Sequence, residues 1–225
     1  MIKVENVDVY GFEAAIRGMR APMNSWAKSD SHRCEKGVGC DYCANDKWCR
    51  MMPQGFKVGS NDLGLMQRLY KGGAEHRKYL RMIHIQMDIT APLYWWKEWD
   101  TYKVGTTANS CSTMHKIHAK EFTIDDFSHE HISDTNVLWC IPAELNVWRK
   151  LYLETKDKKY WWQMIQLLPS SYNQRRTVDF SYETAVNMIK QRSGHKLDEW
   201  NEFVKILLGL PYIKEIMEVW FDDRG

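Results

Sequence analysis

The chain of 225 residues is 44% hydrophobic and 27% charged, a composition that predicts one globular domain with a core of its own. Its 31 basic and 29 acidic residues leave a formal charge of +2, which argues against the strongly basic surface by which proteins bind the phosphates of duplex nucleic acid. No stretch approaches the roughly 20 apolar residues of a membrane-spanning helix, and the polar start lacks a signal-peptide pattern. We therefore expect a soluble protein of the cytoplasm, in a bacterial or virus-infected cell, that binds neither membranes nor duplex nucleic acid.

The first half of the chain predicts alternating strands and helices around one irregular segment. Hydrophobic periodicity indicates these elements: a strand over residues 2–12, a helix over Phe12–Met19, a short helix between a cap at Ser60–Asp62 and a stop at Gly72-Gly73, a strand over Met82–Thr90, and a helix over Leu93–Trp99 that begins at Pro92. Between them, Ala27–Gly59 is polar and without periodicity, so this excursion needs a metal or packing to hold it.

The second half is mostly helical. Its predicted elements are a polar ligand-contacting loop over Thr106–Ser112 and helices over about Pro142–Glu154, Asp157–Leu168, Ser181–Arg192, Leu197–Leu208 and Tyr212–Trp220, with Asp157 and Ser181 as caps. Eleven Trp and eleven Tyr suit interfaces and ring-binding pockets as well as cores. The pattern as a whole predicts an α+β (mixed α/β) fold.

Four of the six cysteines lie close together in the spacing Cys34-x5-Cys40-x2-Cys43-x5-Cys49. The central two-residue spacing lets two thiolates bind one tetrahedral ion from a tight turn, so the four predict a structural zinc site. Free loop cysteines, an iron–sulfur or redox role, and His32 as a competing ligand are the alternatives. For Cys111 and Cys140, which have no cysteine nearby in sequence, we expect buried small side chains.

Other polar segments allow both a functional and a structural explanation. His129 and His131 alternate beside the carboxylates of Asp125 and Asp126, a pattern that suits a metal but is more simply a solvated loop. The hydroxyls and amides of Thr106–Ser112 and the arginines within Leu168–Arg176 suit phosphates and pyrimidine edges, although helix capping and salt bridges explain them equally. The common nucleotide-binding and hydrolase motifs are absent from the sequence.

The order of these elements resembles that of the flavin-dependent thymidylate synthases. Their signature Arg-His-Arg-x-x-Ser-x-Asn-Glu-x-Ser-x-Arg-Tyr follows a strand, an Ala-Pro and a helix with a Gln-Trp pair. The corresponding residues here are Ala91-Pro92, Glu98-Trp99, Thr101-Tyr102-Lys103 or Tyr102-Lys103-Val104, and Thr107-x-Asn109-Ser110-x-Ser112. Further along, the family's Leu-Pro, flavin-contacting helix and nucleotide-binding Arg match Leu168-Pro169, Asn187 and Arg192. The resemblance covers about residues 60–112 and 163–208.

The resemblance implies a single domain over 1–225 with the thymidylate synthase (ThyX-like) fold, helix-rich around a small central sheet and carrying a Cys-rich insertion at about 27–59. It implies nucleotide contacts from Glu98, Thr107, Asn109, Ser112 and Arg192. Cofactor contacts fall on Ser181 and Asn187 by the same matching, and Lys103 is a candidate because it offers a charge near the family's arginines. FAD would be the cofactor, NADPH and methylenetetrahydrofolate the co-substrates, and the assembly a homotetramer.

The family's reaction is the reductive methylation of dUMP, in which flavin carries the redox chemistry and no cysteine nucleophile is needed. We therefore expect either that reaction or a related one on another pyrimidine nucleotide. A non-catalytic nucleotide-binding protein on the same scaffold, acting as a sensor or sequestering module, is the alternative. A structural protein held together by zinc is a third hypothesis.

Overall fold

The computed structural model describes residues 2–34, 51–52 and 55–218. Its strands are interspersed among helices along the chain. In chain order they are β1 (Lys3–Tyr10), α1 (Phe12–Arg20), β2 (His32–Arg33), β3 (Phe56–Lys57), α2 (Ser60–Lys71), β4 (His84–Pro92), α3 (Leu93–Trp99), β5 (Thr106–Ser110), α4 (Thr113–Lys116), α5 (Thr135–Thr155), α6 (Lys158–Leu167), β6 (Asn173–Ser181), α7 (Tyr182–Arg192), α8 (Asp198–Leu208) and α9 (Ile213–Ile216). The mixed helical and sheet composition that the sequence predicts is confirmed, and no helix of the described residues is long and apolar enough to cross a bilayer.

Two compact units make up the chain. The first contains Met1–Val4, Asp88–Thr101 and Ala108–Thr177; the second contains Glu5–Met87, Tyr102–Thr107 and Val178–Gly225. The prediction of a single domain therefore stays a prediction.

Four strands form the main sheet in the order β1-β4-β6-β5. β4 shows the predicted alternation, because Ile85, Met87 and Ile89 are at most 1% exposed whereas the intervening side chains are partly or fully exposed. A second, two-stranded sheet pairs His32 with Lys57 and Arg33 with Phe56 in antiparallel register. This pairing joins the two ends of the polar excursion predicted over Ala27–Gly59.

Aromatic packing and helix contacts build the core of the second unit. The ring of Phe12 at the start of α1 meets Tyr182 and Tyr212 edge to face, with centroids 5.5 and 5.6 Å apart. Tyr182 is fully buried and donates its hydroxyl to the Pro211 carbonyl at 2.9 Å. Burial raises the pKa of Tyr182, with Glu215 and Tyr212 adding to the effect, so this phenol stays a neutral donor.

A buried carboxylate in the second unit holds the segment before β2 against α1 and α2. Asp62 has no exposed surface, and its side chain accepts hydrogen bonds from Arg20 Nε at 2.5 Å, from the hydroxyls of Ser29 and Ser31 at 2.7 and 2.6 Å, and from the backbone N–H groups of Asp30 and Ser31 at 3.2 and 3.1 Å. Burial acts to raise the pKa of Asp62, but these hydrogen bonds and the Arg20 charge outweigh it and lower the pKa. These hydrogen bonds hold residues 29–31 of the excursion in place.

The residue that caps α2 is distant in sequence from the predicted cap at Ser60–Asp62. Asp30, and not Ser60–Asp62, accepts the first N–H groups of the helix, from Asn61 at 2.8 Å and from Asp62 at 3.1 Å. Gly59 precedes the helix because a Cβ there would lie 2.2 Å from Asp30 Cγ. The predicted cap is therefore wrong, since the capping carboxylate approaches from a distant part of the chain.

The first unit packs α5 and α6 side by side over an apolar cluster of its own. The cluster consists of Ile117, Phe122, Phe127, Leu145 and Met164. In α3 of the same unit, Trp95, Trp96 and Trp99 are at most 2% exposed, so these rings belong to the core rather than to a ring-binding pocket.

Three predicted elements are wrong in type or extent. Thr106–Ser110 is the strand β5 and not a loop, because the strand is formed by pairing with β6 rather than by a hydrophobic pattern. The helix expected to begin at Pro142 begins at Thr135, capped by Asp134 with Asn136 N at 2.9 Å, and Pro142 lies inside it. Helix α9 spans only Ile213–Ile216, and the rest of the predicted helix beyond residue 218 lies outside the described residues.

Candidate functional site

An open cleft of about 330 Å³ lies within the first unit. Its volume falls in the range of sites for small molecules. The end of β4, the segment from Cys111 through Lys120, the turn before α5 and the start of β6 supply its walls. The lining residues are Thr90, Cys111, Ser112, Thr113, Lys116, Ile117, Lys120, Phe122, Asp125, Asp126, Tyr172, Asn173, Gln174 and Arg175.

Backbone pairing between the end of β5 and the start of β6 fixes one wall of the cleft. Cys111 N donates to the Arg175 carbonyl at 2.9 Å, and Gln174 Nε2 donates to the Cys111 carbonyl at 2.9 Å. Ser112 then accepts the His115 N–H at 3.0 Å as the cap of α4. The Cys111 side chain is exposed, which corrects the expectation that it is buried; Cys140 is exposed as well.

Three cationic side chains line the cleft, and they differ in how they are neutralised. Lys120 forms a salt bridge with Asp126, and Arg175 Nη2 lies 2.7 Å from Asp88 Oδ2. Lys116 is exposed and makes no salt bridge with a described residue. Lys116 is therefore the cation best placed to bind an anionic group of a ligand.

Tyr172 contributes a phenol and an aromatic ring to the lining of the cleft. Burial raises the pKa of Tyr172, and the nearby Asp126 carboxylate and Cys111 side chain raise it further. The phenol therefore stays protonated near neutral pH and is available as a hydrogen-bond donor.

Of the nucleotide contacts that the resemblance implies, three belong to the first unit. Ser112 lines the cleft, Glu98 is half-buried on α3, and Asn109 is exposed on β5. Sequence reasoning missed Lys116 and Tyr172. Because the sequence predicts a loop over Thr106–Ser112, it offers no reason to expect the strand pairing that places β6 beside Cys111.

In the second unit, Arg192 packs between aromatic rings at the end of α7. Its Nε donates to the Tyr102 hydroxyl at 3.0 Å, and its guanidinium lies 4.8 Å from the centroid of the Trp200 ring. The Tyr102 hydroxyl in turn donates to Gln191 Oε1 at 2.9 Å. These contacts fix the direction of the guanidinium that the resemblance assigns to the nucleotide.

The other predicted residues of the second unit lie along α7 and the segment before β5. Ser181 is buried and caps the helix, accepting the Thr184 N–H at 3.3 Å. Asn187 is half-buried on α7, and its side-chain amide makes no hydrogen bond with a described residue. Lys103 and Thr107 are both exposed.

Hydrogen bonding also holds this segment to α7 itself. Thr184 Oγ1 donates to the Val104 carbonyl at 3.2 Å, and Gly105 follows with φ +67°, which favours glycine. Two arginines that sequence reasoning did not single out reach the first turn of α7, where Arg77 and Arg81 pair with Glu183. The two guanidinium groups therefore compensate the negative charge of Glu183 in the first turn of α7.

The predicted zinc ligands lie mostly outside the described residues. Cys34 is a half-buried free cysteine, whereas Cys40, Cys43 and Cys49 fall within the part of the chain that the structure does not describe. No group of three or more His, Cys, Asp or Glu side chains within 2–34, 51–52 and 55–218 could hold a metal ion, and this range includes the segment of His129 and His131. The zinc site therefore stays a prediction.

Comparison with known proteins gives a likeness in fold. No family model matches the sequence, and no curated protein matches it. Two solved structures of the flavin-dependent thymidylate synthase ThyX from Helicobacter pylori, each complexed with FAD and dUMP, are similar in structure. One has a TM-score of 0.65 and 16% identity over 94% of this chain and 96% of that chain; the other has a TM-score of 0.66 and 15% identity over 96% of each. The chain therefore has a fold like that of the flavin-dependent thymidylate synthases.

Proposed function

We propose that this chain binds a pyrimidine nucleotide together with FAD and carries out the reductive methylation of dUMP or of a related pyrimidine nucleotide. The single observation that carries the proposal is the likeness of 94–96% of the chain to structures complexed with both FAD and dUMP. The cleft of the first unit supports it, because a cation, hydroxyls and an aromatic ring converge there.

Lys116 and Ser112 are the residues that we assign to the phosphate of the nucleotide. The ammonium of Lys116 has no competing salt bridge with a described residue, and the Ser112 hydroxyl lies in the same lining set. Charge-assisted hydrogen bonds of this kind contribute about 1.5–3 kcal/mol each. Tyr172 supplies a ring face and a neutral donor for the rest of the ligand.

The second unit offers side chains that fit a flavin. Asn187 has a half-buried amide without a hydrogen bond to a described residue, and Lys103 is an exposed cation, so an amide and an ammonium are both available to polar groups of the cofactor. Ser181 would support them by capping the helix that carries Asn187. Flavin, when bound, supplies the hydride, with NADPH and methylenetetrahydrofolate as the proposed sources of electrons and carbon.

Self-association belongs to the same proposal. On α5, Val137, Trp139 and Val147 are 55, 66 and 50% exposed, and exposed apolar side chains on one helix favour a protein interface. We expect the homotetramer that the resemblance implies, and light scattering of the purified protein measures its mass directly.

Titration calorimetry with dUMP tests the cleft as the nucleotide site. The Lys116→Ala variant of the FAD-loaded protein should bind dUMP with a dissociation constant at least about tenfold higher than that of the unmodified chain. Lys150→Ala is the matched control, because Lys150 is an exposed lysine on α5 outside the cleft. Equal affinities for all three proteins would refute the assignment.

Non-catalytic nucleotide binding is the second candidate function. It is favoured by Tyr102 and Val104, which stand near the family's arginine positions: the Tyr102 hydroxyl is occupied by Gln191 and Arg192, and Val104 has no charge. Incubation with dUMP, FAD, NADPH and methylenetetrahydrofolate separates the two, since dTMP forms only if the chain is an enzyme. Nucleotide binding without flavin retention or dTMP would favour the second candidate.

A further inference from the structure

Two neighbouring carboxylates of the cleft differ in what they contact. Asp126 pairs with Lys120 and accepts the Thr123 N–H at 2.9 Å, so its charge is used within the protein. Asp125 also lines the cleft, is exposed, and its carboxylate makes no hydrogen bond or salt bridge with a described residue. A carboxylate without a partner inside the protein is available to a ligand that donates hydrogen bonds to it.

The charges around Asp125 restrict which ligand fits. Lys116 attracts a phosphate, whereas the positive charges of Lys120 and Arg175 are already matched by Asp126 and Asp88. The cleft therefore combines one available cation with one available acceptor. A ligand that satisfies both carries an anionic group and, elsewhere, an N–H or O–H donor.

Cytosine and uracil nucleotides differ in whether one group on the base donates or accepts hydrogen bonds. Cytosine carries an exocyclic amine, which donates hydrogen bonds, at the ring position where uracil carries a carbonyl oxygen, which only accepts them. A carboxylate accepts from the amine and repels the carbonyl oxygen, the pairing by which Asp and Glu select cytosine in nucleic acids. Asp125 thus distinguishes the two bases by charge.

We propose that the cleft of the first unit prefers a cytosine nucleotide, such as dCMP, over dUMP, with Asp125 accepting a hydrogen bond from the exocyclic amine. This inference rests on the proposed function, since it names the nucleotide that the same cleft takes. Of the two ligands that the proposed function leaves open, dUMP and a related pyrimidine nucleotide, the inference favours the second.

Titration calorimetry of the unmodified protein with dCMP, dUMP and UMP tests the preference. We expect dCMP to bind about tenfold more tightly than dUMP, and UMP to bind no more tightly than dUMP. The Asp125→Asn variant should lose the preference, because an amide can donate to the uracil oxygen. Glu154→Gln, which changes an exposed carboxylate on α5, is the matched control and should keep it.

The possible failures are distinguishable. Equal affinities for dCMP and dUMP, both weakened by Lys116→Ala, would overturn the cytosine preference and leave the nucleotide site in place. A preference for UMP over dUMP would also overturn it, because the donor would then be the ribose hydroxyl. Binding of no nucleotide, or binding that is insensitive to Lys116→Ala, would remove the proposed function as well. The comparison of the three nucleotides uses only the unmodified protein and so does not depend on whether a variant folds. Thermal melting shows whether the Asp125→Asn variant is folded.

Discussion

Replacing Asp62 by asparagine removes one charge from the buried cluster in the second unit while keeping the size of the side chain. One carboxylate oxygen accepts from Arg20 Nε at 2.5 Å, and the other accepts from Ser29 Oγ, Ser31 Oγ and two backbone N–H groups. An amide has a single acceptor oxygen, so in either orientation its NH2 group faces donors. The Arg20 side chain, 5% exposed, would keep its charge without a counter-ion.

The expected loss in the free energy of unfolding for Asp62→Asn is about 3–5 kcal/mol, the range for breaking a buried ion pair by removing one partner. For a chain of this length the loss corresponds to a melting temperature lower by roughly 10 °C. Urea titration at neutral pH measures it through the denaturation midpoint. Glu13→Gln is the control, because Glu13 pairs with Arg33 at 2.5 Å but its side chain is 36% exposed. That variant should lose at most about 1 kcal/mol.

The same carboxylate predicts how stability depends on pH. Because the folded pKa of Asp62 lies below its unfolded value, its contribution is present above the unfolded pKa of about 4 and is lost as the pH falls through the folded value. The unmodified chain should therefore lose more stability than Asp62→Asn does on acidification below about pH 4. Equal losses for Asp62→Asn and Glu13→Gln, or parallel pH curves for the unmodified and Asp62→Asn proteins, would refute this reasoning.

The remaining predictions concern one close backbone approach and one proposed ligand contact. Gly59→Ala should lower stability by about 1–3 kcal/mol, because its Cβ would lie 2.2 Å from Asp30 Cγ. Gly64→Ala within α2, where the nearest atom would be 3.6 Å away, should instead raise stability by up to about 1 kcal/mol in the same urea titration, and the same sign for both would contradict the packing argument. Arg192 lies outside the lining of the cleft, and it is the resemblance that assigns it to the nucleotide. By that assignment Arg192→Ala should weaken dUMP binding by about 1.5–3 kcal/mol in calorimetry, and unchanged affinity would remove Arg192 from the nucleotide contacts while leaving the cleft as the site.

The sequence predicts those elements that are determined by their own hydrophobic pattern or by a cap next to them in the chain. The strand β4 follows from its alternation, and the caps Asp157 and Ser181 mark the starts of α6 and α7, where each accepts a backbone N–H of its helix. These features need no distant partner. The helices α7 and α8 match their predicted ranges closely for the same reason.

Elements that depend on distant partners could not be predicted in this way. The residues of β5 are small and polar, and the strand forms through pairing with β6, which is far away in sequence. Pro142 suggests a helix start, but Asp134 caps α5 several residues earlier, and the helix continues through the proline. The cleft shares this dependence, because Arg175 meets Cys111 only through strand pairing.

The function that we propose for this chain requires it to bind a flavin together with a pyrimidine nucleotide. The measurement that tests it most directly is the visible absorption spectrum of the protein after incubation with FAD and desalting, repeated on addition of dUMP and of dCMP. We expect retained flavin bands that shift when a nucleotide is added, because both ligands occupy the protein together. A colourless protein after desalting would contradict the claim and leave nucleotide binding without redox chemistry as the function of this fold.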